Sequence, residues 1–232
     1  MNDPNRSLPD TIADRLRSAI VSGALPAGAA LNQDRIAAEY GVSHIPVREA
    51  VRRLQAEGLV TYLPRRGAFV AELSAAEYLE VMEMRAALES LALRKAILAA
   101  SADDEAAVRR AAERACKAGS RSQMIQSNRQ FLMSLYAPCR LPRLLAAIGR
   151  LWAQVHRYSV HAWRMEPSYR ARDLAGHAEL LDAFRKRDTR RAVRALARYL
   201  AWSRRPVLAE LGRRESSPLP PRGRGRRAKR AG

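Results

Sequence analysis

Between Ala37 and Val60 the chain reads AAEYGVSHIPVREAVRRLQAEGLV, and this run restricts the fold more than any other. Val47, Ala50, Val51 and Leu54 fall at i, i+3, i+4 and i+7, one face of an α-helix. Arg48, Arg52 and Gln55 repeat on another face. Ahead of them, a small Ala37 lets two helices approach closely, Gly41 suits the positive φ of a tight turn, and Ser43 is placed to cap the next helix. Val47 then plugs the angle between the helices. The pattern is that of a helix-turn-helix whose second helix carries arginines outward to a major groove. Downstream, residues 59–63 (LVTYL) and 68–70 (AFV) read as two short strands around Pro64-Arg-Arg-Gly67, a basic wing.

The charge balance suits that partner. Lys and Arg number 42 against 23 Asp and Glu, a formal net charge of +19, which favours polyanions. Arginines are spread along the whole chain, so a general compositional bias contributes too. The 232 residues allow one or two domains with proper cores. Cys116 and Cys139 have no metal-ligand or redox spacing and read as buried or half-buried thiols in a reducing compartment. No run approaches the ~18 apolar residues of a membrane helix, and the start MNDPNRSLPD lacks the apolar core of a secretory signal. The expected location is the cytoplasm.

Three units follow along the chain. Ile12, Leu16 and Ile20 place a first amphipathic helix over about Asp10 to Ser22, closed by Gly23, and the first unit spans residues 8–72. Ser74-Ala-Ala-Glu77 has capping-box spacing and opens a second unit, residues 74–211, of long alanine-rich helices with no period-two alternation. Its last helix is expected from Thr189 to about Leu211. Residues 212–232, rich in Pro, Gly and Arg, are expected to form a disordered basic tail. The fold class is therefore mainly α: an N-terminal winged helix-turn-helix followed by an all-α helical bundle.

The motifs Ile20-x-x-Gly23, Pro26-x-Gly28, Gly41-Val42-Ser43, Pro46-Val47-Arg48-Glu49-Ala50, Glu57-Gly58-Leu59 and Gly67-x-Phe69-Val70 resemble the DNA-binding domain of the GntR family of bacterial transcription regulators. In the second unit, Met84-Arg85-Ala-Ala-Leu88-Glu89, Leu135-Tyr136, Leu151-Trp152 and the stretch from His177 to Phe184 resemble the ligand-binding domain of the FadR-type, or FCD, branch. One departure falls at the start of the recognition helix. The family pattern Ser-Arg-Thr-Pro is replaced by Ser43-His44-Ile45-Pro46, which removes the usual bidentate guanine reader.

The expected DNA-binding residues are Ser43, His44, Arg48 and Arg52 at the recognition helix, Gln33 and Arg35 before it, and Arg65, Arg66 and Gly67 at the wing. Glu49 reads as a structural partner of Arg53 at i+4. The branch implies an effector pocket, for which Arg85, Asn128, His177 and Tyr199 are the expected lining; Arg85 could alternatively be a salt-bridge partner of Glu89. Trp152, Trp163 and Trp202 read as core or interface. The branch also implies a metal held by an Asp and a His four apart and two further His. Here those positions fall on Asn128, Leu132, His177 and Tyr199, and His156 and His161 lie on a different helix, so no metal and no other cofactor is expected.

The function expected is a sequence-specific DNA-binding transcription regulator, a repressor controlled by a small organic acid or other polar effector. It would act as a homodimer, because one helix-turn-helix reads only a half-site. The alternatives are a dimeric DNA binder whose second domain has lost its effector, and a nonspecific DNA-coating protein. An enzyme is discounted, since Asp103, Asp104, Asp173 and Asp182 stand in solvent-like contexts with no histidine at ligand spacing.

Overall fold

A computed structural model describes residues 7–165 and 168–216, without the side chains of residues 121, 122, 157, 159–165 and 214–216. Trp163 and His161 as side chains, and the tail from residue 217, lie outside what is described.

Helix α1, Leu8–Ser22, opens on Ser7, whose side chain accepts from the Asp10 amide, and closes on Gly23 at φ 80°. Helix α2, Gln33–Tyr40, is capped by Asn32 and ends at Gly41, φ 62°. Helix α3, His44–Ala56, follows after a three-residue turn and buries Val47, Ala50, Val51 and Leu54, the face that the spacing predicts. Strands β1, Val60–Leu63, and β2, Gly67–Val70, pair antiparallel with Val60 opposite Val70. Ile12, Leu16, Ile20, Val47, Val51, Leu54 and Leu59 share one core. Two local expectations fail here. Ser43 is extended and makes no capping hydrogen bond, and Arg53 turns to Asp10 of α1 rather than to Glu49. The cross-helix carboxylate holds the guanidinium against α1, which a neighbour on the same helix cannot do.

The second unit comprises α4 (Ala75–Ala99), α5 (Ala102–Lys117), α6 (Arg121–Tyr136), a 3₁₀ turn (Ala137–Cys139), α7 (Pro142–Met165), α8 (Tyr169–Arg185) and α9 (Thr189–Ser216). Capping boxes at Ser74/Glu77, Ser101/Asp104 and Ser120/Gln123 start α4, α5 and α6. The turn before α9 is fastened by Arg187, which donates to the Ile97 and Ala100 carbonyls at the end of α4, at 2.6 and 2.7 Å. Helix α9 runs on to Ser216 instead of stopping near Leu211; Val207 and Leu211 are buried against the bundle, and this packing carries the helix into the basic segment. Cys139 is buried, whereas Cys116 is exposed, against expectation, on the solvent side of α5. Among the described residues no helix is long and apolar enough to cross a membrane.

The two units meet along α7. Ala153 belongs to the core of the winged domain, while Ile148 and Val155 belong to that of the bundle. Next to Ala153, Gln154 donates through Nε2 to the Glu57 carbonyl, one residue beyond the end of α3, at 2.8 Å. Gly58 stands at φ 72°, and a Cβ there would lie 2.7 Å from that same amide. Arg17 of α1 holds the Glu57 carboxylate with two hydrogen bonds of 2.7 and 2.6 Å. The end of α3 is thus gripped from both sides.

Candidate functional site: a nucleic-acid interface and a buried polar cluster

Opposite its buried face, α3 presents Ile45, Arg48 and Arg52 at i, i+3 and i+7, all exposed. The preceding Ser43 is exposed, its hydroxyl unused as a cap. His44 Nδ1 lies 3.3 Å from Asp34 of α2, which ties the first turns of the two helices together. Gln33 donates to the Tyr62 hydroxyl at 3.0 Å, so the start of α2 is also tied to the wing. At the wing tip Arg65 takes φ 59° and Gly67 φ 91°, which closes the hairpin tightly. The Arg66 guanidinium sits 5.3 Å over the Phe69 ring. Arg35 is exposed on α2. The sequence-predicted residues therefore lie at three neighbouring places: the first turn of α2, the outer face of α3 and the wing. Tyr62, which sequence reasoning passed over, joins two of them.

Within the bundle, Asn128 of α6, His177 of α8 and Tyr199 of α9 do converge. Asn128 Oδ1 is 3.1 Å from His177 Nε2 and 3.0 Å from the Tyr199 hydroxyl. A fourth member was not foreseen. Asp173, expected in solvent, is 3% exposed and lies 2.6 Å from the Tyr199 hydroxyl. One turn before His177 on α8, it faces inward with the histidine, and that i, i+4 spacing was the available signal. Burial pushes its carboxyl up to about 7, against the opposing pull of the Tyr199 hydrogen bond. Burial likewise lowers His177 to about 4. A phenol has one proton and cannot donate to both Asp173 and Asn128. With Asp173 ionised the phenol proton goes to its Oδ1; with Asp173 protonated the carboxyl can donate to Tyr199 and the phenol proton turns to Asn128. His177 Nε2–H also donates to Asn128, and Nδ1 is left buried without a partner.

Arg85 is apart from these three. It is buried and ion-paired with Glu89 at 2.7 Å, and Tyr136 donates to the other Glu89 oxygen at 2.8 Å. The salt-bridge reading of Arg85 is met by Glu89, and the side chain also lines a cavity with Asn128, Trp152, His156 and Tyr199. That cavity measures about 30 Å³, the space of one water molecule. His156 stacks on Trp152 with ring centroids 3.6 Å apart, and burial, with Arg129 and Arg85 nearby, lowers it to about 3. Trp202 packs against Tyr169, centroids 4.5 Å apart, in keeping with a core role.

Residues 8–70 match the profile of the bacterial regulatory proteins of the gntR family, and residues 80–201 match that of the FCD domain. The chain belongs to the GntR family. As a GntR regulator with an FCD domain it is a DNA-binding transcription regulator, not an enzyme. It is 30% identical over 208 residues to the HTH-type transcriptional regulator BphR of Paraburkholderia xenovorans, covering 85% of this chain and 84% of that one. It is 37% identical over 86 residues to the gluconate operon transcriptional repressor of Bacillus subtilis, covering 37% of this chain and 35% of the relative. Among solved structures, McbR/YncC of Escherichia coli superposes with a TM-score of 0.76 at 25% identity, over 90% of this chain and 99% of that one.

The metal that the FCD resemblance implies does not fit these residues. Two of its four positions are an amide and a phenol, and the third, Leu132, has no donor at all. The remaining imidazole already directs Nε2 to the Asn128 amide oxygen. Among the described residues no three His, Cys, Asp or Glu side chains are grouped to hold an ion.

Proposed function

We propose that this GntR-family chain is a repressor that binds a palindromic operator as a homodimer, reading each half-site with α3 and steadying it with the wing. The observation that carries this is the outer face of α3, where Arg48 and Arg52 stand exposed on a helix whose other face is fully buried. Arg48 and Arg52 are assigned to base edges and phosphates, Ser43, His44, Gln33 and Arg35 to the groove margin, and Arg65, Arg66 and Gly67 to the backbone or minor groove. Related proteins named as repressors, including that of the gluconate operon, support the sign of regulation. Selection of bound sequences from randomised duplexes, followed by gel-shift titration, tests the reading. Two inverted half-sites about one helical turn apart are expected, and Arg48→Ala should cost about 1–3 kcal/mol on the selected site while sparing random DNA. Equal affinity for both by the wild type would make the chain a nonspecific DNA-coating protein instead.

For control, we propose a small polar effector taken up beside Arg85, Asn128, His177 and Tyr199. Asn128 and Tyr199, which line the cavity, support a polar ligand, and His177 reaches it only through its hydrogen bond to Asn128. An organic acid would have to compete with Glu89 for Arg85. The 30 Å³ cavity favours a second reading, in which the bundle only dimerises. Thermal-shift screening with small acids, sugars and amines separates them: a stabilising compound whose effect vanishes in Asn128→Ala but survives chelators supports the first, and none supports the second.

A further inference from the structure

The outer face of the recognition helix carries an anomaly in a protein of charge +19. Ile45 is 70% exposed, and it belongs to neither hydrophobic core. It stands on the second residue of α3, in register with Arg48 and Arg52 at i+3 and i+7, so the three side chains form a single stripe. The helix has no structural use for it there. The buried face is completed by Val47, Ala50, Val51 and Leu54, and the space beyond Ile45 is solvent. Leaving a large aliphatic side chain in water at the first turn of a recognition helix gains nothing for the free protein.

The major groove offers it one complementary group. Of the four bases only thymine shows a methyl there, and apolar side chains discriminate by covering it. The first turn of a recognition helix is also the part that reaches base edges. The neighbouring His44 is drawn sideways to Asp34 at 3.3 Å, and Pro46 has no polar side-chain atom, so Ile45 is the residue of that turn left to face the groove. We infer that Ile45 is a specificity-determining residue that reads the C5-methyl group of a thymine in each operator half-site. This rests on α3 being the reading helix, and it adds an apolar readout to the polar one of the arginines.

The experiment uses the full-length protein and duplexes selected from a randomised pool. Each thymine of the selected half-site is replaced in turn by deoxyuridine, which removes the methyl group and leaves all pairing edges intact. One position per half-site should weaken wild-type binding about 4-fold, the worth of one buried methyl group at ~0.8 kcal/mol, and about 16-fold when both half-sites carry it. Ile45→Ala should bind thymine and uracil equally at that position and lose the thymine preference on reselection; Ile45→Val should keep it. Because Ile45 touches neither core, both variants should melt as the wild type does. Wild-type binding that is indifferent to every uracil, or an Ile45→Ala variant that still distinguishes the two bases, overturns the inference while leaving α3 as reader. Failure to select any sequence overturns the recognition-helix reading itself.

Discussion

Asp173 shows how far one buried carboxyl can bias a whole fold. Its folded value of about 7 lies well above the 3.8 of the free side chain, because burial disfavours the charged form. A raised carboxyl value means that the folded state holds its proton longer, so stability is present below about 4 and is lost as pH rises toward 7. His177 and His156 act in the opposite window: with values lowered to about 4 and 3, they must be charged for unfolding to be favoured, and stability falls as pH drops below 6.5. Asp173→Asn should therefore gain on the wild type as pH rises from 4 to 7, by an amount of order 4 kcal/mol at most, at about 1.4 kcal/mol per pH unit. Melting curves of both proteins across that range decide it, and a constant difference between them would mean that Asp173 is ionised in the folded protein. Arg85 has no comparable freedom. Glu89 and Tyr136 surround it, and removing Glu89 alone should cost about 3–5 kcal/mol by leaving an unpaired buried guanidinium.

Among elements, the end of α3 is the most constrained. Gly58 needs both its φ of 72° and its missing side chain, since the Gln154 amide occupies the place of a Cβ. Gly23, at φ 80°, meets nothing within 4 Å. Both glycine-to-alanine changes incur the left-handed cost of about 1–2 kcal/mol, but only Gly58→Ala should be eased by Gln154→Ala. Urea titration of the four proteins measures that coupling, and simple additivity would mean that the amide moves aside freely. Helix order, the capping box at Ser74 and the buried face of α3 were legible in the sequence because each is a local pattern of period, cap or turn. Asp173, Gln154 and the pairing of Arg53 with Asp10 were not. Their roles depend on which helix lies opposite, and spacing along one helix does not carry that information. Three of the four polar effector candidates were foreseen to meet, through positions borrowed from the family pattern, while Arg85 is held by Glu89 and lines a cavity of only about 30 Å³.

At the scale of the whole molecule, charge and shape make separate claims. Residues 217–232 carry six Lys or Arg, and deleting them should flatten the slope of log affinity against log salt by as much as about 5 units per chain, with operator preference retained. A truncated protein that keeps the full slope would place its phosphate contacts elsewhere. The winged domain and the bundle are also less separable than their two cores suggest. Trp152 and His156 wall the bundle cavity, Ala153 and Gln154 grip the DNA-binding domain, and all four are within five consecutive positions of one continuous helix. No hinge lies between them. A ligand that changed the seat of Trp152 would act on the DNA-binding domain through one continuous helix, and such coupling would have no preferred direction: an operator that tightened the bundle around a ligand by some factor would itself be held tighter, by the same factor, once that ligand is bound.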